Sequence, residues 1–213
     1  MIVLVGGEKG GSGKSCLAQN LAVYFRTHYN GEVLLVDCDP QRTTSDWIQE
    51  RKDNTELPSI NCVQLYGNIR EDLLSLKTRY DFVVVDCGGQ DNRALRSSMS
   101  VASHALIPLR PKRRDLKTLP HMEDIITTCK MVNPTLNAAV VMTQCPSLPN
   151  QAKRILEAKE VCASYCVNVL NAIIYSRNVY DDSEERGLSV MEIEPGGKAA
   201  EEIRVIAKEF LNL

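Results

Sequence analysis

Short apolar runs alternate with longer amphipathic segments along most of the chain. Five of the runs are almost wholly apolar and lack in–out alternation: residues 2–5, 33–36, 82–85, 105–109 and 138–142. Strands of this kind are buried on both faces, which is typical of parallel sheets covered by helices. Less regular strands are predicted over residues 60–66 and 167–174. The pattern predicts an α/β fold with a mostly parallel sheet of about seven strands and helices on both faces.

The segments between these runs carry apolar residues at helical spacing. After the first strand, Leu17, Leu21, Tyr24 and Phe25 fall on one face of a helix. Further helices are predicted over residues 44–51, 73–76, 92–102, 115–132, 152–163 and 199–210. Because no linker, repeat or low-complexity tract interrupts the alternation, residues 1–213 are predicted to form a single domain.

A glycine-rich segment, residues 6–15 (GGEKGGSGKS), joins the first strand to the first helix. A strand, a glycine turn and a helix start form a phosphate-binding loop, because glycines let backbone N–H groups point inward and the helix end adds partial positive charge. We expect Lys14 to reach the β- and γ-phosphates and the Ser15 hydroxyl to complete a magnesium shell. The candidate nucleotide-binding residues are Gly10, Gly11, Ser12, Gly13, Lys14, Ser15 and Cys16.

This segment departs from the ordinary P-loop, G-x-x-x-x-G-K-[ST], at one position. Glu8 occupies the place of the first glycine, and a second lysine, Lys9, follows it. The alternative, a solvated glycine loop with two surface lysines, fits poorly between a strand and a helix. A dinucleotide-binding loop is excluded, because G-x-G-x-x-G cannot be laid over these residues. The segment therefore predicts a P-loop NTPase fold.

Three aspartates follow predicted strands. Asp37 and Asp39 come after the second strand, and Asp86 comes after the strand at residues 82–85. Ligands bind outside the carboxyl ends of the strands in such sheets, so these acids are expected near the P-loop. Magnesium takes one or two carboxylates plus phosphate oxygens, which makes Ser15, Asp37 and Asp86 the candidate magnesium residues. Asp39 is expected to orient the attacking water. The alternative for any one of these aspartates is that it caps a helix or a turn.

The composition limits the possible partners. The chain has 213 residues and a formal net charge of −2, so any attraction to nucleic acid must come from a local patch. No apolar run approaches the ~20 residues of a membrane helix. Met1 leads directly into a strand, so no signal peptide is expected. The eight cysteines include no C-x-x-C pair, and we expect reduced thiols in the cytoplasm.

Three segments together resemble the deviant Walker A ATPases of the ParA/MinD family: residues 9–15 (KGGSGKS), 36–41 (VDCDPQ) and 81–89 (DFVVVDCGG). Weaker similarity continues through residues 107–116 and 175–192, so the resemblance covers essentially the whole chain. Because the chain begins at the first strand, the N-terminal DNA-binding region of longer members is not expected here. It is therefore most similar to the short, plasmid-type branch of the ParA-type partition ATPases.

The resemblance implies a magnesium- and ATP-dependent ATPase that is weak alone and stimulated by a partner. ATP would be sandwiched in a homodimer in which Lys9 reaches the partner's nucleotide, and Lys9, Lys14 and Asp39 would be the catalytic residues. The ATP-bound dimer would bind DNA without sequence preference. It would drive plasmid or chromosome partition together with a ParB-type centromere-binding protein, in the cytoplasm of a bacterium and associated with the nucleoid.

A basic segment at residues 110–117 is the candidate DNA contact. Its basic residues are Arg110, Lys112, Arg113, Arg114 and Lys117, against one acid and no aromatic residue. That composition suits contact with phosphates better than reading of bases. The alternative is a solvated helix start. A second, weaker candidate on the last helix consists of Lys198, Arg204 and Lys208.

Other functions of the same family remain open. A MinD-like membrane role needs a basic amphipathic tail, whereas the final helix mixes acids with bases and is expected to pack on the sheet. Some ParA-like ATPases position organelles or other protein cargo instead of DNA. An iron–sulfur reductase shares the deviant loop, and Cys87 followed by two glycines keeps it as a remote alternative, although no convincing second cysteine accompanies it.

Overall fold

The computed structural model describes residues 1–89 and 92–211, and within these ranges seven strands form one sheet. The strand order is β3-β2-β4-β1-β5-β6-β7, and each neighbouring pair is parallel. The strands are β1 (Ile2–Gly6), β2 (Val33–Asp37), β3 (Asn61–Gln64), β4 (Phe82–Cys87), β5 (His104–Leu109), β6 (Asn137–Cys145) and β7 (Asn168–Tyr175). The predicted α/β fold with about seven mostly parallel strands is confirmed.

Helices cover both faces of this sheet. They are α1 (Lys14–His28), α2 (Thr43–Lys52), α3 (Arg70–Leu76), α4 (Asn92–Met99), α5 (Arg113–Leu116), α6 (Leu119–Val132), α7 (Ala152–Ser164), α8 (Asn178–Glu184), α9 (Val190–Ile193) and α10 (Lys198–Leu211). A single 3-10 turn at Pro149–Gln151 precedes α7. Among the described residues, none of the helices is both long and apolar enough to cross a lipid bilayer.

Each central strand contributes to two hydrophobic cores. In β1, Ile2 and Leu4 pack with residues of α3, α4, α6 and α7, whereas Val3 and Val5 pack with residues of α1, α2 and α10. Successive side chains of a strand point to opposite faces, so a strand with a helix layer on each side must be apolar at every position. This arrangement explains the unbroken apolar runs of the sequence.

The predicted helix over residues 115–132 is wrong, because α5 and α6 are separate helices. Pro120 lies in the first turn of α6. A proline inside a continuous helix would remove one hydrogen bond and clash with the carbonyl four residues earlier, whereas the first turn tolerates it. The helix predicted to end at residue 102 ends at Met99, and α8 and α9 were not predicted from the sequence.

The last helix packs on the sheet, as the sequence predicted. Ile203, Ile206 and Phe210 of α10 are buried in the core on the α1 side. Near the start of β7 the register with β6 shifts, and the Glu209 carboxylate of α10 accepts hydrogen bonds from the backbone N–H groups of Asn171 and Ala172 at 2.6 and 2.7 Å. Two amides that the irregular register leaves outside the regular ladder are satisfied in this way.

Candidate nucleotide-binding site

The glycine-rich loop and the strand-end acids meet at one edge of the sheet. In the pairing of β2 with β4, Asp37 stands opposite Asp86, and in the pairing of β1 with β4, Val5 stands opposite Asp86. The loop that follows Gly6 therefore leaves the sheet beside both carboxylates. The expectation that the acids lie at the same edge as the loop holds in the structure.

The loop has the backbone conformation that its glycines allow. Gly11 and Gly13 have φ angles of 69° and 82°, in the left-handed region that side chains rarely adopt. Helix α1 begins directly after Gly13, so its N-terminus faces the loop. The Lys14 ammonium donates to the Lys9 carbonyl oxygen at 2.6 Å, across the loop. Burial lowers the pKa of Lys14, while the Asp86 and Asp39 carboxylates oppose that change.

Two side chains near the carboxyl end of β6 form hydrogen bonds to the loop. The Thr143 hydroxyl donates to the Ser12 carbonyl oxygen at 2.8 Å, and the Gln144 amide donates to the Gly11 carbonyl oxygen at 3.1 Å. Ser12 itself is buried, and its hydroxyl faces the Lys9 carbonyl oxygen within the loop. Sequence analysis missed Thr143 and Gln144, although their place at the carboxyl end of a strand is a usable signal.

Arg110 belongs to the surroundings of the loop. Its guanidinium binds both carboxylate oxygens of Asp115 at 2.8 and 3.1 Å, and one of its nitrogens lies 3.5 Å from the Gly10 carbonyl oxygen. The ion pair raises the pKa of Arg110, and Asp115 is fully buried. Arg110 therefore differs from the other basic residues of the 110–117 segment, because its charge is already neutralised by a bidentate partner.

Asp86 is a buried carboxylate that is only partly satisfied. Its Oδ2 accepts a hydrogen bond from the Thr44 hydroxyl at 2.7 Å, whereas its Oδ1 has no hydrogen-bond partner among the described residues. Burial raises the pKa of Asp86 from 3.8 to about 6, and the Thr44 and Ser15 hydroxyls and the Lys14 ammonium oppose the rise. An unpartnered buried carboxylate oxygen beside a P-loop serine is an arrangement that fits a hard divalent cation.

Asp37 is the better satisfied of the two paired acids. Its Oδ2 accepts from the Ser45 N–H at 2.8 Å and from the Ser45 hydroxyl at 2.6 Å, and its Oδ1 accepts from the Asp39 N–H at 3.0 Å. Ser45 lies in the first turn of α2, so Asp37 satisfies one of the amides that a helix start leaves without a partner. The capping role is thus present, and a role at magnesium stays a prediction.

Asp39 faces the cleft beside a glycine pair. Its Oδ1 accepts from the Gln41 N–H at 2.9 Å, in a local turn. A Cβ atom at Gly88 would collide with the Asp39 carboxylate, and one at Gly89 would collide with the Glu8 carbonyl oxygen. A side chain at position 88 would therefore displace the Asp39 carboxylate, whereas a side chain at position 89 would require the backbone of the P-loop start to move.

A cleft of about 710 Å³ runs along this edge of the sheet. One part is lined by the P-loop, Asp39 and Gly89, and the other part by the ends of β6 and β7 together with α8. Six of the residues on this second side are Gln144, Tyr175, Arg177, Tyr180, Asp181 and Glu184. Asp37 and Asp86 are fully buried and do not line the cleft. Among the described residues, the wall includes Glu8 and Gly10 but not Lys9.

The cysteines near the site are packed thiols. Cys38 and Cys87 are fully buried, and a hydrogen bond between them together with burial raises the pKa of Cys38. Cys16 lines the cleft, and burial raises the pKa of its thiol. A cluster shared between two subunits requires thiols at the surface, so the position of Cys87 argues against the iron–sulfur alternative. Within residues 1–89 and 92–211, no group of three His, Cys, Asp or Glu side chains is placed to hold a metal.

The strand, glycine loop and helix, with a buried acid at the end of β4, define a P-loop nucleotide-binding protein. Residues 3–190 match the CobQ/CobB/MinD/ParA nucleotide binding domain, and the chain belongs to that family. The predicted resemblance to this family is confirmed.

Two characterised relatives align over most of the chain. Maintenance of carboxysome distribution protein A of Halothiobacillus neapolitanus is 28% identical over 210 residues, which cover 95% of this chain and 93% of that protein. Chromosome partitioning protein ParA of Myxococcus xanthus is 26% identical over an alignment that covers 84% of this chain and 76% of that protein. A plasmid partition protein of Borrelia burgdorferi bound to AMPPNP has the same fold, with a TM-score of 0.72 and 18% identity. The superposition covers 99% of this chain and 98% of that chain.

Proposed function

We propose that this protein is a magnesium- and ATP-dependent ATPase that dimerises around ATP, binds DNA without sequence preference and uses it to position a cargo. The observation that carries the magnesium-ATP part of the proposal is that Oδ1 of buried Asp86, beside the P-loop, has no hydrogen-bond partner among the described residues. A carboxylate oxygen in that state is costly unless a ligand completes its environment. The family to which the chain belongs is a nucleotide binding domain, and the loop lies within the matched residues.

The residues present suit triphosphate and magnesium. Gly10, Gly11 and Gly13 line the cleft, where their backbone amides would bind phosphate, and the Lys14 ammonium can exchange the Lys9 carbonyl for phosphate oxygens. Ser15 and Asp86 would hold the magnesium ion, which would offset the negative charge of the phosphates. Asp37, bound to Ser45 in the free protein, would help from the side of β2.

Hydrolysis would depend on two residues near the mouth of the cleft. Asp39 lines the cleft and would orient the attacking water with its Oδ2, while its Oδ1 accepts a hydrogen bond from the Gln41 amide. Lys9 is half-buried and lies outside the wall of its own cleft, which suits a role at the nucleotide of a second subunit. In that position its charge would stabilise the phosphates in the transition state, as an arginine finger does.

The DNA contact would be the exposed basic surface of α5. We define the α5 basic surface as Lys112, Arg113, Arg114 and Lys117, all of which are exposed. Arg110 is left out, because Asp115 already neutralises it. On α10, Arg204 donates to the Pro195 carbonyl oxygen at 2.6 Å and lies near Glu201, so the second candidate patch is weaker. The ParB-type partner and association with the nucleoid belong to the same proposal.

Binding to random-sequence DNA tests this function. With ATP and magnesium we expect binding, and we expect little with ADP or without nucleotide. Four phosphate contacts from each subunit of the dimer predict that log K falls with log salt with a slope of roughly −7. Each alanine substitution in the α5 basic surface removes one contact from each subunit and should reduce that slope by about 2. Alanine at Lys153 and Arg154, exposed on α7, is the matched control and should leave the slope unchanged. Absence of binding in every nucleotide state would point to a membrane or protein surface as the matrix.

A second cargo is favoured by the relative that aligns over nearly the whole of both chains. That relative is a carboxysome distribution protein, which suggests a protein compartment in place of a plasmid or chromosome. Deletion of the gene separates the two cargoes. Faster loss of a plasmid or chromosome would support partition. Clustered protein compartments with normal DNA inheritance would support the second cargo.

A further inference from the structure

We propose that Glu202 of α10 is a positioning residue for the base of the bound nucleotide. It holds Tyr175, Arg177 and Tyr180 in place at one end of the cleft without lining the cleft itself. The inference deepens the proposed function and rests on it, since it assumes that the cleft takes a nucleoside triphosphate.

The sheet order decides which end of the cleft receives the base. The P-loop follows β1, and the acids Asp37 and Asp86 lie on the side of β2 and β4. The opposite side, beyond β5, consists of the ends of β6 and β7 with α8. Because the γ-phosphate and magnesium belong beside the acids, the ribose and base extend toward β6 and β7. Tyr175 and Arg177 stand at that end.

Glu202 binds three different parts of this wall. Its Oε1 accepts from the Arg177 guanidinium at 2.9 and 2.7 Å, and its Oε2 accepts from the Tyr180 hydroxyl at 3.0 Å and from the Tyr175 N–H at 3.2 Å. The Glu202 side chain is only 11% exposed. Charge-assisted hydrogen bonds of this kind are stronger than neutral ones and fix geometry, so the carboxylate orders the wall from behind.

The wall that Glu202 orders has the chemistry of a base-binding surface. The Arg177 guanidinium carbon lies 5.3 Å from the centroid of the Tyr175 ring, so a flat cation and a ring are held against each other. Tyr180 is buried, and its hydroxyl is also 3.3 Å from the Ala199 carbonyl oxygen. Flat aromatic and guanidinium groups stack with purines. Without Glu202, the Arg177 side chain loses its only ion-pair partner among the described residues.

Glu209 shows what a purely structural carboxylate on the same helix looks like. It binds two backbone amides, those of Asn171 and Ala172, at distances similar to those of Glu202. Neither of these residues lines the cleft. Glu202, in contrast, binds side chains and a backbone amide that do line it. The two acids therefore provide a matched pair, in which only one is connected to the nucleotide.

The test compares a ligand that has a base with one that does not. For wild type and Glu202→Gln, the affinities for magnesium-ATP and magnesium-tripolyphosphate are measured by calorimetry, tripolyphosphate at millimolar concentration. We expect the affinity for ATP to fall by about tenfold, because glutamine lacks the negative charge and keeps only one of the two acceptor oxygens, and that for tripolyphosphate to stay unchanged. Glu209→Gln and Glu201→Gln should change neither the affinity for ATP nor that for tripolyphosphate. Glu201 is exposed and pairs only loosely with Arg204, at 3.5 Å.

Two results would overturn the inference. An unchanged ATP affinity in Glu202→Gln would remove Glu202 from base binding. An equal loss for ATP and tripolyphosphate would make its role structural. If Glu202→Gln does not fold, Glu202→Asp, which keeps the charge but is one methylene shorter, takes its place in the same two measurements. If the wild type does not bind ATP at all, the proposed function is refuted. If the wild type binds ATP and the Glu202 variants bind it equally well, only the inference about Glu202 is refuted.

Discussion

The phosphate end of the cleft draws mainly on one continuous stretch of chain, whereas the base end combines residues from β6, β7 and α8, with α10 behind them. At the phosphate end, backbone amides and two glycines with positive φ form the surface. At the base end, side chains form it, and their positions depend on Glu202. Short-range chemistry thus shapes the first region, and long-range packing shapes the second.

A similar contrast exists between the two acids of the phosphate end. Asp37 and Asp86 are opposite each other in neighbouring strands, and both are fully buried. Ser45 and the Asp39 amide satisfy the carboxylate of Asp37, while one oxygen of Asp86 has no hydrogen-bond partner in the part of the chain that the structure describes. A motif that places two acids side by side does not by itself decide which of them is available to a cation; the hydrogen-bond donors that reach each one decide it.

Lys14→Ala should have the largest effect on ligand affinity, and it should weaken the binding of both ATP and tripolyphosphate. The ammonium is buried in the loop, and losing a buried charged hydrogen bond costs about 2–5 kcal/mol, which is roughly 30-fold to several thousandfold in affinity. Calorimetry should show that Lys14→Ala loses affinity for ATP and for tripolyphosphate alike, whereas Glu202→Gln is expected to lose affinity for ATP only. Lys153→Ala, an exposed lysine on α7, is the control. Intact ATP affinity in Lys14→Ala would mean that the phosphates bind elsewhere.

Lys9→Ala tests whether Lys9 acts on the nucleotide of the partner subunit or on that of its own subunit. We expect ATP binding to persist and partner-stimulated turnover to fall about 1,000-fold, because a charge that neutralises the transition state is lost. Equal mixing with Asp39→Ala provides a sharper test. If Lys9 acts across the dimer, mixed dimers contain one complete site and turnover returns. A mixture as inactive as either variant would place Lys9 at its own nucleotide, and wild-type turnover in Lys9→Ala would remove it from the mechanism.

Asp86→Asn should raise the stability of the nucleotide-free protein while abolishing hydrolysis. The carboxyl has a folded-state pKa of about 6 against an ordinary 3.8, so the folded protein binds its proton more tightly than the unfolded chain does. Stability is therefore lost as the pH rises from about 4 to 6, and the penalty approaches about 3 kcal/mol above that window. Chemical unfolding with a chelator present should show this gain for Asp86→Asn at pH 7 and none at pH 4. A gain independent of pH would contradict the titration of Asp86.

Asp39→Ala and Gly88→Ala should have the smallest effects of these variants on ATP turnover. Removing the carboxylate should leave ATP-driven dimerisation intact and lower turnover by about 100-fold, since it removes a group that orients the water. Gly88→Ala places a methyl group where the Asp39 Oδ2 lies, so that side chain must move, and we expect a loss of about tenfold with the carboxylate still present. Single-turnover kinetics at saturating ATP measure both. Normal turnover in both variants would mean that Asp39 has no part in hydrolysis.

The sequence carried more information about the phosphate end than about any other part of the site. The glycine spacing, Lys14 and the acids at strand ends depend on local backbone conformation and strand polarity, which short segments encode. The same local signals did not reveal that Pro120 divides α5 from α6, nor that Arg110 pairs with Asp115 beside the loop. The position of Arg110 in a run of basic residues resembled a DNA contact, because charge composition does not indicate which residues are already paired.

By itself, the sequence determined the sheet, its polarity, the loop and the family, because unbroken apolar runs and a glycine-rich turn have few compatible structures. Only the tertiary structure decided how Asp37 and Asp86 differ and which residues complete the base end. Thr143 and Tyr175 are distant from the P-loop along the chain and reach it or its cleft only when the strands pair, and Glu202 contacts Tyr175 only because α10 packs beside β7. Their roles depend on distances of a few ångströms between separate elements, and no periodicity along the chain encodes such distances.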